Sequence, residues 1–210
     1  MGFSSVWLLT YNVVQFFGWS YLGVIITKYL FIMKTSYGLY NEIYQILIVF
    51  QTLAVLEIVH VVLKVVRSNP IFTFMQVFSR LYVLWGVLVP IEESRNSSGV
   101  IMLLAAWTLT EVVRYAYYAL ELLKLTPFCL MWSRYSLFVI LYPLGGGGEV
   151  YTMYDTAFMI FSGSVKNYYY YGYVLCFMGL SYAYNFFKLY YHMFSQRKKS
   201  LSKSSLLKTE

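Results

Sequence analysis

Apolar runs of about twenty residues recur along this chain, separated by short breaks that carry turn or charge signals. At 1.5 Å per residue, a run of that length is what an α-helix needs to cross bilayer hydrocarbon. In lipid the backbone must satisfy its own hydrogen bonds, which confines such a chain to helices or a closed barrel. The runs are continuous, not alternating, and that selects helices. The sequence predicts spans near Trp7–Thr27, Ile43–Val66, Ile71–Ile91, Gly99–Leu120, Phe128–Phe161 and Tyr168–Tyr191. Arg67-Ser68-Asn69-Pro70 and the polar stretch Glu92–Ser98 mark two of the breaks. Only 12% of the residues are charged and 60% are hydrophobic, far less charge than a soluble domain of this size displays. The expected fold is therefore an all-α, polytopic membrane bundle of six transmembrane helices over residues 1–194. No internal repeat is visible. The first run lacks a basic start and a small-residue cleavage site, so it reads as a retained span.

The fifth run is too long for one straight crossing, and it contains Tyr142-Pro-Leu-Gly-Gly-Gly-Gly-Glu149. Proline removes a backbone donor and glycine disfavours helix, so the run is expected to be broken at Pro143–Gly148. A carboxylate deep in an apolar run is costly and marks a functional site by default. Other ionisable residues also lie within the runs: Glu57, His60, Arg80, Glu111 and Arg114. Glu111 and Arg114 are three apart and face one way, as are Glu57 and His60; Gln76 and Arg80 are four apart. Interhelical ion pairing is the ordinary fate of such groups and competes with a direct catalytic role.

Basic residues set the orientation. Arg197, Lys198, Lys199, Lys203 and Lys208 crowd the last fourteen residues, in a hydrophilic tail (195–210) expected to be disordered. Following a span directly, that tail reads as a cytosolic anchor beside anionic lipid and not as a nucleic-acid site. Both termini are then cytosolic. Cys129 and Cys176 lie in apolar segments and are expected to be buried, unbridged small residues. Glu57-x-x-His60 is half of a di-iron motif, but His192 is the only other histidine, so no metal site is expected. Cys129 to Arg134 contains no glycine to cradle a phosphate, which argues against phosphatase chemistry.

Taken in order, Leu56-Glu57-Ile58-Val59-His60, Val66-Arg67-Ser68, Ser79-Arg80-Leu81, Trp85-Gly86, Thr110 to Tyr115, Arg134-Tyr135 and Leu141-Tyr142-Pro143-Leu144-Gly145 with Glu149 carry a resemblance. From about Tyr11 to Lys199 the chain resembles the very-long-chain (3R)-3-hydroxyacyl-CoA dehydratases, also called protein-tyrosine-phosphatase-like proteins. Tyr-Pro-x-Gly-x-x-x-Glu is the most specific element. The resemblance implies six spans in the endoplasmic reticulum membrane and loss of water from a 3-hydroxyacyl-CoA to give the trans-2-enoyl-CoA, the third step of fatty-acid elongation. It implies Tyr142 and Glu149 as the catalytic pair, with Glu57, Gln76, Arg80, Arg114 and Gly145 in support. The implied partners are acyl-CoA, membrane lipid and the other elongation enzymes. The short linker Ser162–Lys166 and the unbroken glycine run depart from the family pattern.

The chemistry asks for a base at the carbon beside the thioester and an acid at the departing hydroxyl, and for no metal or redox cofactor. Glu149 suits the first role and Tyr142 the second, though the two can be exchanged. Seven helical positions put their Cα atoms about 10 Å apart on nearly one face. On position alone, an interfacial tyrosine and a membrane-edge carboxylate explain the pair equally well. Lys64, Arg67, Lys124 and Arg134 are candidates for a CoA-binding face. Two other readings stay open: a small transporter, against which no matching pair of broken helices appears, and a catalytically silent scaffold for elongation partners.

Overall fold

In the computed structural model, which describes residues 2–35 and 37–206, the chain forms helices and, among the described residues, no strands. The helices are α1 (Phe3–Thr27), α2 (Leu39–Leu53), α3 (Val55–Val62), α4 (Pro70–Leu81), α5 (Ser98–Leu122), α6 (Phe128–Ser136), α7 (Phe138–Phe161) and α8 (Tyr169–Leu206). Wider π-helical turns extend α1 over Lys28–Met33 and α4 over Tyr82–Leu88. Local chemistry sets the starts. Asn69 accepts from the Ile71 amide at 3.0 Å, with Pro70 in the first helical turn, and Ser97 caps α5 through the Gly99 amide. Lys64 and Lys124 take left-handed φ of 57° and 58°, in the turns that end α3 and α5.

Among the described residues, four helical segments are long and apolar enough to cross a membrane: Phe3–Met33, Leu39–Val62, Pro70–Leu88 and Ser98–Leu122. A fifth is made if α6 and α7, bent by 42°, count as one. The expected sixth span falls in α8, whose many tyrosines keep it out of that set among the described residues. Bulky apolar side chains cover the outside, among them Phe17, Val24, Phe158, Phe177 and Leu180, each more than 60% exposed. An outward apolar coat of this kind is what a lipid solvent selects. Among the described residues the interior has two buried clusters. One joins α1, α2 and α5 through Trp19, Leu22, Ile43, Leu104 and Trp107. The other joins α7 and α8 to the extended end of α4 through Val87, Ile91, Met153, Ala157, Ile160 and Leu175.

The break in the fifth run is not where the glycines predicted it. The chain bends at Leu137, and α7 is helical straight through Pro143 and Gly145–Gly148. Two contacts remove the expected penalties. Pro143 cannot donate to the carbonyl four residues back, that of Val139, and the Tyr190 hydroxyl donates to that oxygen instead, at 3.2 Å. The glycines serve as a contact face. A Cβ on Gly148 would lie 2.7 Å from the Leu103 nitrogen and 2.8 Å from the Gly99 oxygen, so α7 meets α5 backbone to backbone.

Two further expectations are corrected. Cys129 and Cys176 are free thiols, as predicted, but both are exposed: apolar surroundings in a membrane helix include its lipid-facing side. The last helix also continues through residues 195–206 of the basic tail, where composition alone predicted no structure. Extending a formed helix costs little, and Lys, Arg, Gln and Leu are good helix formers. Residues 207–210 lie outside the described residues.

Candidate active site

One face of α5 organises the polar interior. Glu111, 1% exposed, accepts from Arg80 of α4 and pairs with Arg114, one turn along its own helix, at 2.5 Å. Arg114 in turn grips Glu57 of α3 with both terminal nitrogens, at 2.8 and 2.6 Å. The Tyr115 hydroxyl donates to the same Glu57 at 2.5 Å, and Tyr11 of α1 reaches it at 3.4 Å. The result is an alternating series, Glu57–Arg114–Glu111–Arg80, with no net charge across three helices. Paired burial of this kind roughly breaks even against an apolar core, but removing one member costs about 3–5 kcal/mol. The local Glu111–Arg114 pair matches the spacing argument. Glu57 does not turn to His60: that ring is buried and accepts from the Trp7 indole at 2.9 Å, as a hydrogen-bonded core histidine.

A cavity of about 610 Å³ lies between α4, α5, α7 and α8. Tyr142 and Glu149 both line it, as do Gln76, Arg80, Arg114 and Gly145. Because α7 is unbroken, Tyr142 and Glu149 stand two turns apart along one helix, about 10 Å at the ideal rise. Glu149 is buried, and the Trp107 indole donates to its Oε1 at 2.8 Å. The Arg80 guanidinium lies 5.8 Å over the same indole. Tyr142 stacks on Phe186 at 4.8 Å and near-parallel to Tyr190 at 5.9 Å, so the ring is held by α8. Gly145 brings α7 close to α5: its Cβ would meet that of Ala106 at 3.2 Å.

Ser68 and Asn69, in the turn before α4, and Gln196 on α8 line the outer end of the cavity. Val150, Met178 and Tyr182 line its inner end and pack on the second buried cluster, which forms a floor. Of the four basic CoA-face candidates, Arg134 lines the cavity and donates to the Tyr118 hydroxyl at 3.2 Å. Lys64, Arg67 and Lys124 do not line it; they sit in the turns after α3 and α5, at the outer end. Glu57 also stands behind the wall, acting through Arg114.

Sequence reasoning missed Trp107 and the tyrosines Tyr11 and Tyr115. A signal for Trp107 existed. It lies four residues before Glu111, on the face that the α5 charges define as inward.

The family model described as "Protein tyrosine phosphatase-like protein, PTPLA" matches residues 51–203. Human very-long-chain (3R)-3-hydroxyacyl-CoA dehydratase 2 is 37% identical over 210 residues, covering 95% of this chain and 82% of the relative. The very-long-chain (3R)-3-hydroxyacyl-CoA dehydratase hpo-8 of Caenorhabditis elegans is 39% identical, covering 96% and 97%. A probable dehydratase of the same name from Schizosaccharomyces pombe is 38% identical over 146 residues, covering 68% and 69%. No solved structure matches. With a matching family model over most of its length and relatives of this identity and coverage, the chain belongs to the protein tyrosine phosphatase-like family of very-long-chain 3-hydroxyacyl-CoA dehydratases.

Proposed function

We propose that this protein is a hydro-lyase that converts a long- or very-long-chain (3R)-3-hydroxyacyl-CoA to the trans-2-enoyl-CoA, with Tyr142 and Glu149 as its catalytic residues. The observation that carries the reading is that the two side chains line one cavity of a membrane bundle whose relatives bear that activity in their names.

Glu149 acts as the base. The Trp107 indole occupies Oε1, which leaves Oε2 to take the proton from the carbon beside the thioester. Tyr142, its ring held by Phe186 and Tyr190, presents its hydroxyl as the acid that protonates the departing hydroxyl group. One C–H and one C–O bond break, a carbon–carbon double bond forms and water leaves. The proton count closes when Glu149 returns its proton to the Tyr142 phenolate. No electrons change hands, so no redox partner is needed. Gln76, Arg80 and Arg114 supply polar and positive groups along the same wall, suited to the thioester oxygen as charge builds on it. Gly145 keeps the α5 and α7 walls close.

The proposed setting is the endoplasmic reticulum membrane. α6–α7 forms one bent crossing and α8 the sixth, and both termini are cytosolic. The outer end of the cavity then faces the cytosol, where acyl-CoA and the other elongation enzymes would meet it. Lys64, Arg67, Lys124 and Arg134 would flank the CoA nucleotide. Purified protein in detergent, given a long-chain 3-hydroxyacyl-CoA, should yield the enoyl product by mass, at a rate unchanged by chelators. Tyr142→Phe and Glu149→Gln should each lose nearly all turnover while eluting as folded protein. Normal activity in either would overturn the mechanism.

A further inference from the structure

The cavity cannot hold a very long acyl chain along the bundle axis. Below Glu149 the way is blocked, because Val150, Met178 and Tyr182 close onto Met153 and Leu175, which are fully buried. Toward α2 it is shut by Gln51 and Ala54, at 1% and 5% exposure. Toward α5 the wall is Ala106 and Trp107, both buried. Between α7 and α8 the stacked rings of Tyr142, Phe186 and Tyr190 fill the seam.

The side between α4 and α8 differs. Contacts join these helices at two heights. Phe72 stacks on His192 at 4.1 Å near the outer end, and the Tyr182 hydroxyl donates to the Ser79 carbonyl at 2.6 Å near the floor. Between those heights Phe74 and Phe78 line the cavity and yet are 50% and 44% exposed. Side chains that face both the cavity and the outside mark an opening. Across from them, Ser181 and Asn185 of α8 also line the cavity, and each donates one hydrogen bond back into α8, to the carbonyls of Met178 and Ser181 respectively. The α4 edge of the opening is thus two phenyl rings, and its α8 edge is a serine and an asparagine each partly tied to their own helix.

We infer that this gap between α4 and α8 is a lateral acyl port. The thioester and its hydroxyl-bearing carbon sit in the cavity, while the remainder of the acyl chain leaves between Phe74, Phe78 and Asn185 into the surrounding lipid. The site thus needs no enclosed tunnel to take chains longer than itself. The inference rests on the proposed dehydratase reading.

The test is a long-chain 3-hydroxyacyl-CoA carrying a photoreactive diazirine in the middle of its acyl chain, bound to the full-length protein in lipid nanodiscs. Label on α4 and α8 peptides, at Phe74, Phe78 and Asn185, is the expected result. Label at Gln51 and Ala54, or on the outward side of α7 at Tyr151 and Tyr154, would overturn the port. A second measurement uses Met75→Cys with Asn185→Cys in a Cys129→Ser, Cys176→Ser background, bridged by a reducible bifunctional thiol reagent. Loss of packing for two methylenes is already about tenfold, so the bridge should lower kcat/KM for a long-chain substrate at least about tenfold more than for a short-chain one. Reduction should restore the ratio. Equal effects on both chain lengths would refute the port while leaving the dehydratase reading intact. Absence of turnover with every chain length in the unmodified protein would remove that reading, and the port with it.

Discussion

Replacing Gly148 with alanine sets two opposing effects against each other, and the structure decides which wins. In a helix interior the change is worth about 0.8–1 kcal/mol in favour of alanine. Here, however, the new methyl would sit 2.7 Å from the Leu103 nitrogen and 2.8 Å from the Gly99 oxygen, both backbone atoms of α5. Backbone in a packed helix pair cannot swing aside as a side chain can, so the helices must part. Overpacking of that kind costs about 1–3 kcal/mol, with a rigid obstacle at the upper end. The net expectation for Gly148→Ala is a loss of about 1–2 kcal/mol. Gly147, one residue earlier, has nothing within 4 Å of its Cβ position, so Gly147→Ala should gain close to the full propensity term. The two variants differ by one residue in position and by about 2–3 kcal/mol in expected stability. Thermal unfolding of each in the same detergent, followed by fluorescence-detected size exclusion, should place Gly148→Ala below wild type and Gly147→Ala above it. Equal melting points for the two variants, or a stabilised Gly148→Ala, would refute the close α5–α7 approach. Equal destabilisation of both would indicate an unwound glycine stretch.

Trp107→Phe removes the indole donor to Glu149 while keeping most of the ring. A hydrogen bond to a carboxylate is worth about 1.5–3 kcal/mol, so kcat should fall roughly ten- to a hundredfold with little change in KM, measured by steady-state turnover. A proportionate rise in KM would assign Trp107 to substrate binding instead. Glu57→Gln strands Arg114 without its carboxylate and should destabilise the bundle by about 3–5 kcal/mol, read as a drop in detergent melting temperature. An unchanged melting point would disprove the alternating charge series. Charge reversal at Arg67 and Lys124 together should raise KM for acyl-CoA more than it lowers kcat, and the difference should shrink in high salt.

The class of fold was legible because lipid leaves so few solutions: run length and continuity were enough to place α1, α5 and the bent α6–α7 pair. The inward side of α5 was also legible, since Glu111 and Arg114 could pair only on one face. Partners across helices were not. Spacing offered Glu57 its neighbour His60, whereas the structure gives it Arg114, 57 residues away. Periodicity names a face but not what meets it. The glycine run misled for a different reason. Intrinsic preference speaks against helix at Gly145–Gly148, but in lipid unpaired backbone costs more than glycine's entropy, and close approach to α5 rewards the missing side chains. The cysteines show the converse failure. In water an apolar neighbourhood implies burial, and in a bilayer it does not. Glu149 stood out by its improbability within an apolar run, Tyr142 was singled out through the family resemblance, and the unbroken helix sets both along one cavity wall.

The neutral series Glu57–Arg114–Glu111–Arg80 has a consequence for biogenesis. Its members leave the ribosome in the order Glu57, Arg80, Glu111, Arg114. Glu57 therefore enters the membrane well before its counter-ion has been synthesised. The segment that carries it, Leu39–Val62, contains an eighteen-residue stretch of mean hydropathy 2.0, the highest such value among the four candidate spans, and that surplus offsets the insertion cost of about 2.5–3.5 kcal/mol for a lone charge. The segment with Arg80 follows on a smaller surplus of 1.5, and α5 arrives with Glu111 and Arg114 already neutralising one another. Delivery of α5 to the nascent pair is then the step at which stranded charges become shared, so truncation before Arg114 should leave a chain that inserts but is handed to quality control.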